Sequence, residues 1–141
     1  MMRAIPEDLK AKFQELIGDL HARVQSVMGC VISTVDGRLV ASVVDNEADP
    51  QRLSAMAGSM VALGETIGRE VKIGRSQSVV VSAVNGLLLL QRVPAKHDLL
   101  VIGTLARTNA NLGIVLYETR STANAAAAAL DQWLEKFTTG T

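Results

Sequence analysis

The sequence predicts an α/β (α+β) protein: a three-layer α/β/α sandwich around a five-stranded antiparallel sheet, in the order α-β-β-α-β-β-β-α. Three observations carry this expectation. In the stretch SQSVVVSAVNGLLLLQRV (76–93), two apolar runs, Val79–Val81 and Leu87–Leu90, flank Asn85-Gly86. Asn-Gly favours the two positive φ values of a type I′ hairpin turn. Neighbouring strand residues point to opposite faces, so four consecutive leucines place two on each face of the sheet. A sheet with one wet face would alternate apolar and polar residues, and this one does not, so both faces need cover. Each covered leucine is worth roughly 1.5–3 kcal/mol. Three further stretches repeat apolar residues at helical spacing and can supply the cover, one helix on one face and two on the other.

In chain order, Pro6 suits the first turn of a helix, where its missing N–H costs nothing. Leu9, Phe13, Leu16, Leu20, Val24 and Val27 follow at spacings of three and four, which predicts an amphipathic helix over about 6–26. Cys30–Thr34 and Leu39–Val44 read as strands joined through Asp36-Gly37. Asn46 to Pro50 is polar, and Asp49-Pro50 reads as an N-cap followed by proline at the first helical position. The second helix runs to about Val71 or Lys72, with Gly74 as its C-terminal stop. It carries two seams. Leu53, Met56, Met60, Leu63, Ile67 and Val71 form a bulky one that suits the sheet. Ala57, Val61, Gly64 and Gly68 form a small one that suits close approach of another helix, or close packing on its own sheet. Interior glycine costs nearly 1 kcal/mol against alanine, so the pair Gly64 and Gly68 calls for a reason. After the hairpin, Pro94–His97 makes a turn and Asp98–Ala106 a fifth strand. A last helix starts near Thr108 or Asn109. Its face is Leu112, Leu116, Thr119, Ala123, Ala126, Leu130, Trp133 and Phe137, and Ala125–Ala129 permits close packing.

At 141 residues and 48% hydrophobic, the chain reads as one domain, 1–141, with room for a core. A formal net charge of zero argues against disorder and against an electrostatic nucleic-acid binder. None of the four aromatic residues lies in the hairpin, so a base-stacking sheet is not expected. The single cysteine, Cys30, is ordinary for a reducing cytoplasm. Met1-Met2-Arg3 leads into a charged helix rather than a long apolar stretch, so no signal peptide is expected, and no apolar run approaches the roughly 20 residues of a membrane span.

Chemistry-bearing motifs are missing. There is no P-loop, no GxSxG and no Cys/His ligand cluster, so no catalytic residue, cofactor or metal site is expected. His21 and His97 read as solvated surface residues, and Cys30 as a buried, inert thiol. Met56 and Met60 read as core. Arg69, Lys72 and Arg75 cluster near the end of the second helix, where cations complement the helix dipole. They are also the candidates for contact with a partner's phosphates or acidic loops.

The passages MGCVISTVDGRLVAS (28–42), LSAMAGSMVALGETIGREV (53–71), VVVSAVNGLLLLQRV (79–93) and ANLGIVLYETRSTANAAAAAL (110–130) together resemble the roadblock / dynein light chain family, most closely its prokaryotic stand-alone members. The resemblance implies a homodimer in which the third strand, Ser76–Val84 here, pairs with its copy, and the second helices, Asp49–Lys72 here, pack across the two-fold axis. The interface residues would be Ala57, Val61, Gly64, Gly68, Ser78, Val79, Val80 and Val81. It also implies binding of a small Ras-like GTPase, with Arg69, Lys72 and Arg75 as contacts. The expectation is therefore a non-enzymatic, cytoplasmic, homodimeric regulator or scaffold of such a GTPase. The alternative is a small-ligand sensor with a pocket between sheet and helices.

Overall fold

A computed structural model describes residues 5–45 and 48–139. The elements are α1 (Glu7–Arg23), β1 (Val27–Thr34), β2 (Leu39–Val44), α2 (Pro50–Glu70), β3 (Ser78–Ala83), β4 (Gly86–Arg92), β5 (Leu100–Arg107) and α3 (Leu112–Thr139), the order that the sequence predicts. The five strands form one sheet in the order β2-β1-β5-β4-β3, with antiparallel neighbours throughout. Helices α1 and α3 pack against each other on one face, and α2 lies alone on the other. Covered on both faces and paired on both sides, β5 is the most completely buried strand of the meander. The sheet ends in two edges, β2 and β3.

The larger core joins α1 (Phe13, Ile17, Leu20) to the sheet (Cys30, Ile32, Ile102) and to the alanine face of α3 (Ala123, Ala126, Ala127). Small side chains there let the two helices approach closely, as the alanine run predicts. The Thr119 hydroxyl donates to the Thr104 hydroxyl at 2.9 Å and satisfies two polar groups buried between α3 and β5. On the other face, Ala57 and Val61 of α2 cover Leu90 and Val101. A third cluster seats Val115 on Leu89 and Ala106.

Several expectations need correction. Helix α1 stops at Arg23 with Val24 as its C-cap, so Val27 opens β1 instead of extending the helical seam, and Ile17 joins the buried face that Leu16 was expected to fill. The first turn of α3 begins at Leu112, which is exposed, and Val115 takes the buried place. Trp133 is half-buried against the larger core, whereas the Phe137 side chain, like Met1-Met2-Arg3 and Asn46, lies outside what is described.

The Asn85-Gly86 turn is displaced by one residue. Ala83 pairs with Gly86, so the loop is Val84-Asn85, and positive φ occurs only at Gly37, Lys72 and Gly74 among the described residues. Gly86 serves the ladder instead: a Cβ there would lie 2.6 Å from the Ala106 carbonyl oxygen. The Asp36-Gly37 turn is as expected in kind. Gly37 donates to the Thr34 carbonyl at 3.0 Å and has φ 93°, so a left-handed glycine closes the turn. The Thr34 hydroxyl donates to the Asp36 carboxylate, and this bond above all holds the Asp36 carboxyl below its ordinary value.

Candidate partner-binding surface

Helix α2 starts as its sequence requires. The Asp49 side chain accepts from the Gln51 N–H at 3.0 Å, and Pro50 occupies the first position. Its small face, not its bulky one, lies on the sheet. Ser54, Ala57, Gly58, Val61 and Gly68 are the buried residues. The approach is close at both ends. A Cβ on Gly58 would stand 3.0 Å from the Gly37 backbone, and one on Gly68 would stand 2.1 Å from the Gly74 carbonyl oxygen. In the middle, a Cβ on Gly64 would meet the Ser76 hydroxyl at 2.9 Å and Val79 at 3.1 Å.

This corrects the predicted interface at three positions. Ala57, Val61 and Gly68 are buried beneath their own helix and cannot present a seam to a second helix, while Gly64 is half-buried. The glycines are explained by packing within the chain. The seam left over is the bulky one. Met56, Leu63, Ile67 and Val71 are 50–58% exposed, Met60 is half-buried between them, and Ile73 just beyond the helix is 79% exposed. Positions 56, 60, 63, 67 and 71 recur at intervals of four, three, four and four, which keeps them on one helix face. The expectation that Met56 belongs to the core fails for the same reason. The signal that could have found this seam is volume: bulk cannot fit where backbone passes at van der Waals distance.

Beside α2 runs the free edge of β3. Ser78 and Val79 are half-buried, and Val79 packs on the Ala57–Val61 cluster. Val80 is 43% and Val81 38% exposed. One side of β3 pairs with β4; the other carries unpaired backbone groups, a template for another strand. Helix α2 also contacts β3, so the exposed stripe and the free edge belong to neighbouring elements.

The three cations at its margin differ in status. Arg69 is exposed in the last turn of α2. Lys72, at φ 60°, is the left-handed residue that ends the helix, with the Ile73 N–H bonding back to the Gly68 carbonyl at 3.0 Å. Lys72, not Gly74, is therefore the stop. Arg75 is engaged within the chain: it pairs with Asp98, and its Nε lies 3.7 Å from Glu65. Arg92 completes the network, 2.7 Å from Glu65 and 3.5 Å from Asp98.

Other titratable groups are structural in their geometry. Burial pushes the Cys30 thiol up to about 12, so it stays protonated at neutral pH. Hydrogen bonds to Glu118, then Asp19, raise Arg23 above its ordinary value at the α1–α3 junction. His21 lies 2.8 Å from Asp45, and His97 is exposed in the β4–β5 turn. Among the described residues no three His, Cys, Asp or Glu side chains gather as a metal site would need, and no helix is long and apolar enough to cross a membrane.

This arrangement is that of the Roadblock/LC7 domain. A Roadblock/LC7 domain from Streptomyces avermitilis superimposes with a TM-score of 0.75 at 21% identity, covering 83% of this chain and 96% of that one. MglB in a tetrameric arrangement gives 0.81 at 14% identity over 92% and 95% of the two chains. Myxococcus xanthus MglB gives 0.76 at 14% identity over 96% of each. No protein-family model matches the chain, and no curated protein does. The chain has the roadblock fold at sequence distances where fold is what the likeness carries.

Proposed function

We infer that this chain is a non-enzymatic, cytoplasmic regulator that forms a homodimer and binds a small Ras-like GTPase. The carrying observation is the apolar surface made by Met56, Leu63, Ile67 and Val71 beside the free edge of β3. Surfaces of this kind on soluble domains mark association sites. A two-fold contact is self-complementary, so the same stripe can face its copy while β3 pairs with β3 and continues the sheet. MglB, which shares the fold, is described in a tetrameric arrangement. The GTPase follows from the resemblance of the sequence to roadblock proteins. With no acid–base set to offer, the dimer acts by ordering the switch loops of its partner, which alters GTP hydrolysis without chemistry of its own.

The test has two stages. Light scattering coupled to gel filtration should give twice the 15.0 kDa of one chain. The Ras-like GTPases encoded in the same genome, loaded with GDP or a non-hydrolysable GTP analogue, should then be captured by the immobilised protein, and GTP turnover should change on its addition. A stable single chain at micromolar concentration overturns the dimer. Failure of all such GTPases to bind overturns the partner.

A further inference from the structure

A groove of about 540 Å³ opens where the segment leading into β3, the end of β4, the β4–β5 turn and the middle of α3 converge. It lies away from the outer stripe of α2. Its walls hold three guanidinium groups, Arg75, Arg92 and Arg120, against one carboxylate, Asp98. Glu65, which pairs with Arg75 and Arg92, is not part of the wall.

The three arginines are not equivalent. Arg92 is fixed: its side chain is 15% exposed, and its Nε donates to the Ser76 carbonyl at 2.9 Å. Arg75 is tied to Asp98 and Glu65. Arg120 has no carboxylate within ion-pair distance among the described residues. Its Nε donates to Gln91 Oε1 at 3.4 Å, and Gln91 is itself buried. The acidic residues nearby on α3 are engaged elsewhere, Glu118 with Arg23, and Asp131 and Glu135 with Lys96. A buried amide thus holds an uncompensated guanidinium at the mouth of a groove whose other cations are already in place. The volume falls in the range of small-molecule sites. Guanidinium forks match the paired oxygens of phosphate and carboxylate.

We propose that this groove binds a small molecule through a phosphate or carboxylate group, with Arg120 as the principal ligand and Arg92 as the fixed second cation. The Asn124 side chain, on the same wall of α3, supplies a neutral donor.

The experiment is a two-dimensional amide NMR titration of the full chain at low ionic strength, with inorganic phosphate in one arm, citrate in a second, and sodium chloride of matched ionic strength as reference. Saturable shifts centred on Gln91, Arg92, Arg120 and Asn124 are expected with phosphate, citrate or both, and the arms tell the two oxyanions apart. Arg120→Ala should weaken binding at least fivefold, and Arg120→Lys should restore part of it. Asn124→Trp, which blocks the groove without removing a charge, should also abolish it. Arg120 and Asn124 are both exposed, so these variants should keep the wild-type fold and solution mass. Equal shifts with chloride overturn the site, as does unchanged affinity in Arg120→Ala or Asn124→Trp. No saturable shift with either phosphate or citrate overturns the ligand class.

Discussion

The carbonyl oxygen of Gly74 lies 2.1 Å from the point where a side chain on Gly68 would begin. The chain leaving α2 turns back so tightly that it occupies the volume of a methyl group on the helix. Gly68→Ala must therefore push the 71–74 turn off the helix. In an exposed helix interior the change would gain nearly 1 kcal/mol; here overpacking should outweigh that, for a net loss of roughly 1–2 kcal/mol. Gly64→Ala meets a hydroxyl that can rotate, and should cost less. Urea midpoints of the two variants check the order.

Lys72 carries a left-handed backbone at the position where glycine is favoured. Its side chain is exposed. Lys72→Gly should stabilise the protein by roughly 0.5–1 kcal/mol, read as a higher urea midpoint with an unchanged slope.

The outer stripe of α2 gives the sharpest test of self-association. Leu63 and Ile67 are 53% and 50% exposed, so Leu63→Glu with Ile67→Glu should leave the single chain folded by circular dichroism. Solution mass should fall to that of one chain. Val80→Arg, on the β3 edge, should act in the same direction. An unchanged mass in both variants would place any dimer contact elsewhere.

Cys30 provides a pH prediction. Its thiol is raised to about 12 in the folded state, against roughly 8.5 for a free thiol. Between those values the native state holds a proton that the unfolded chain has released, so stability falls as pH rises. Below the lower value the group contributes no pH dependence. Unfolding free energies of wild type and Cys30→Ala, compared from pH 7 to pH 11, should differ progressively in favour of the variant above about pH 8.5. A thiol reagent at pH 8 should react only on unfolding.

Much of the architecture is legible in the chain. The leucine run of β4 requires cover on both faces, and the helices that provide it announce themselves by period. Turn placement is less legible. Asn85-Gly86 is a strong hairpin signal, yet Gly86 is drawn into the ladder because the Ala106 carbonyl oxygen leaves no room for a side chain. The two seams of α2 are legible as well, but the sheet takes the small one and leaves the bulky one exposed, the reverse of the expectation. Periodicity finds two stripes a quarter-turn apart but is blind to how near the sheet comes. Distance decides: with Gly37 and Gly74 pressed against the helix, only the stripe of Ala57, Gly58, Val61 and Gly68 fits beneath.

By its own pattern the amino-acid chain determined the element order, the antiparallel sheet and the need for helices above and below. Those properties are local, set by side-chain alternation and turn chemistry. Tertiary structure alone decided that α1 and α3 share a face, that Met56, Leu63, Ile67 and Val71 look outward, that Arg75 is occupied, and that Arg120, held by Gln91, has no carboxylate partner among the described residues. Each of these depends on contacts between residues far apart in the chain, where closeness of backbone and the pairing of charges are settled only once the layers have packed.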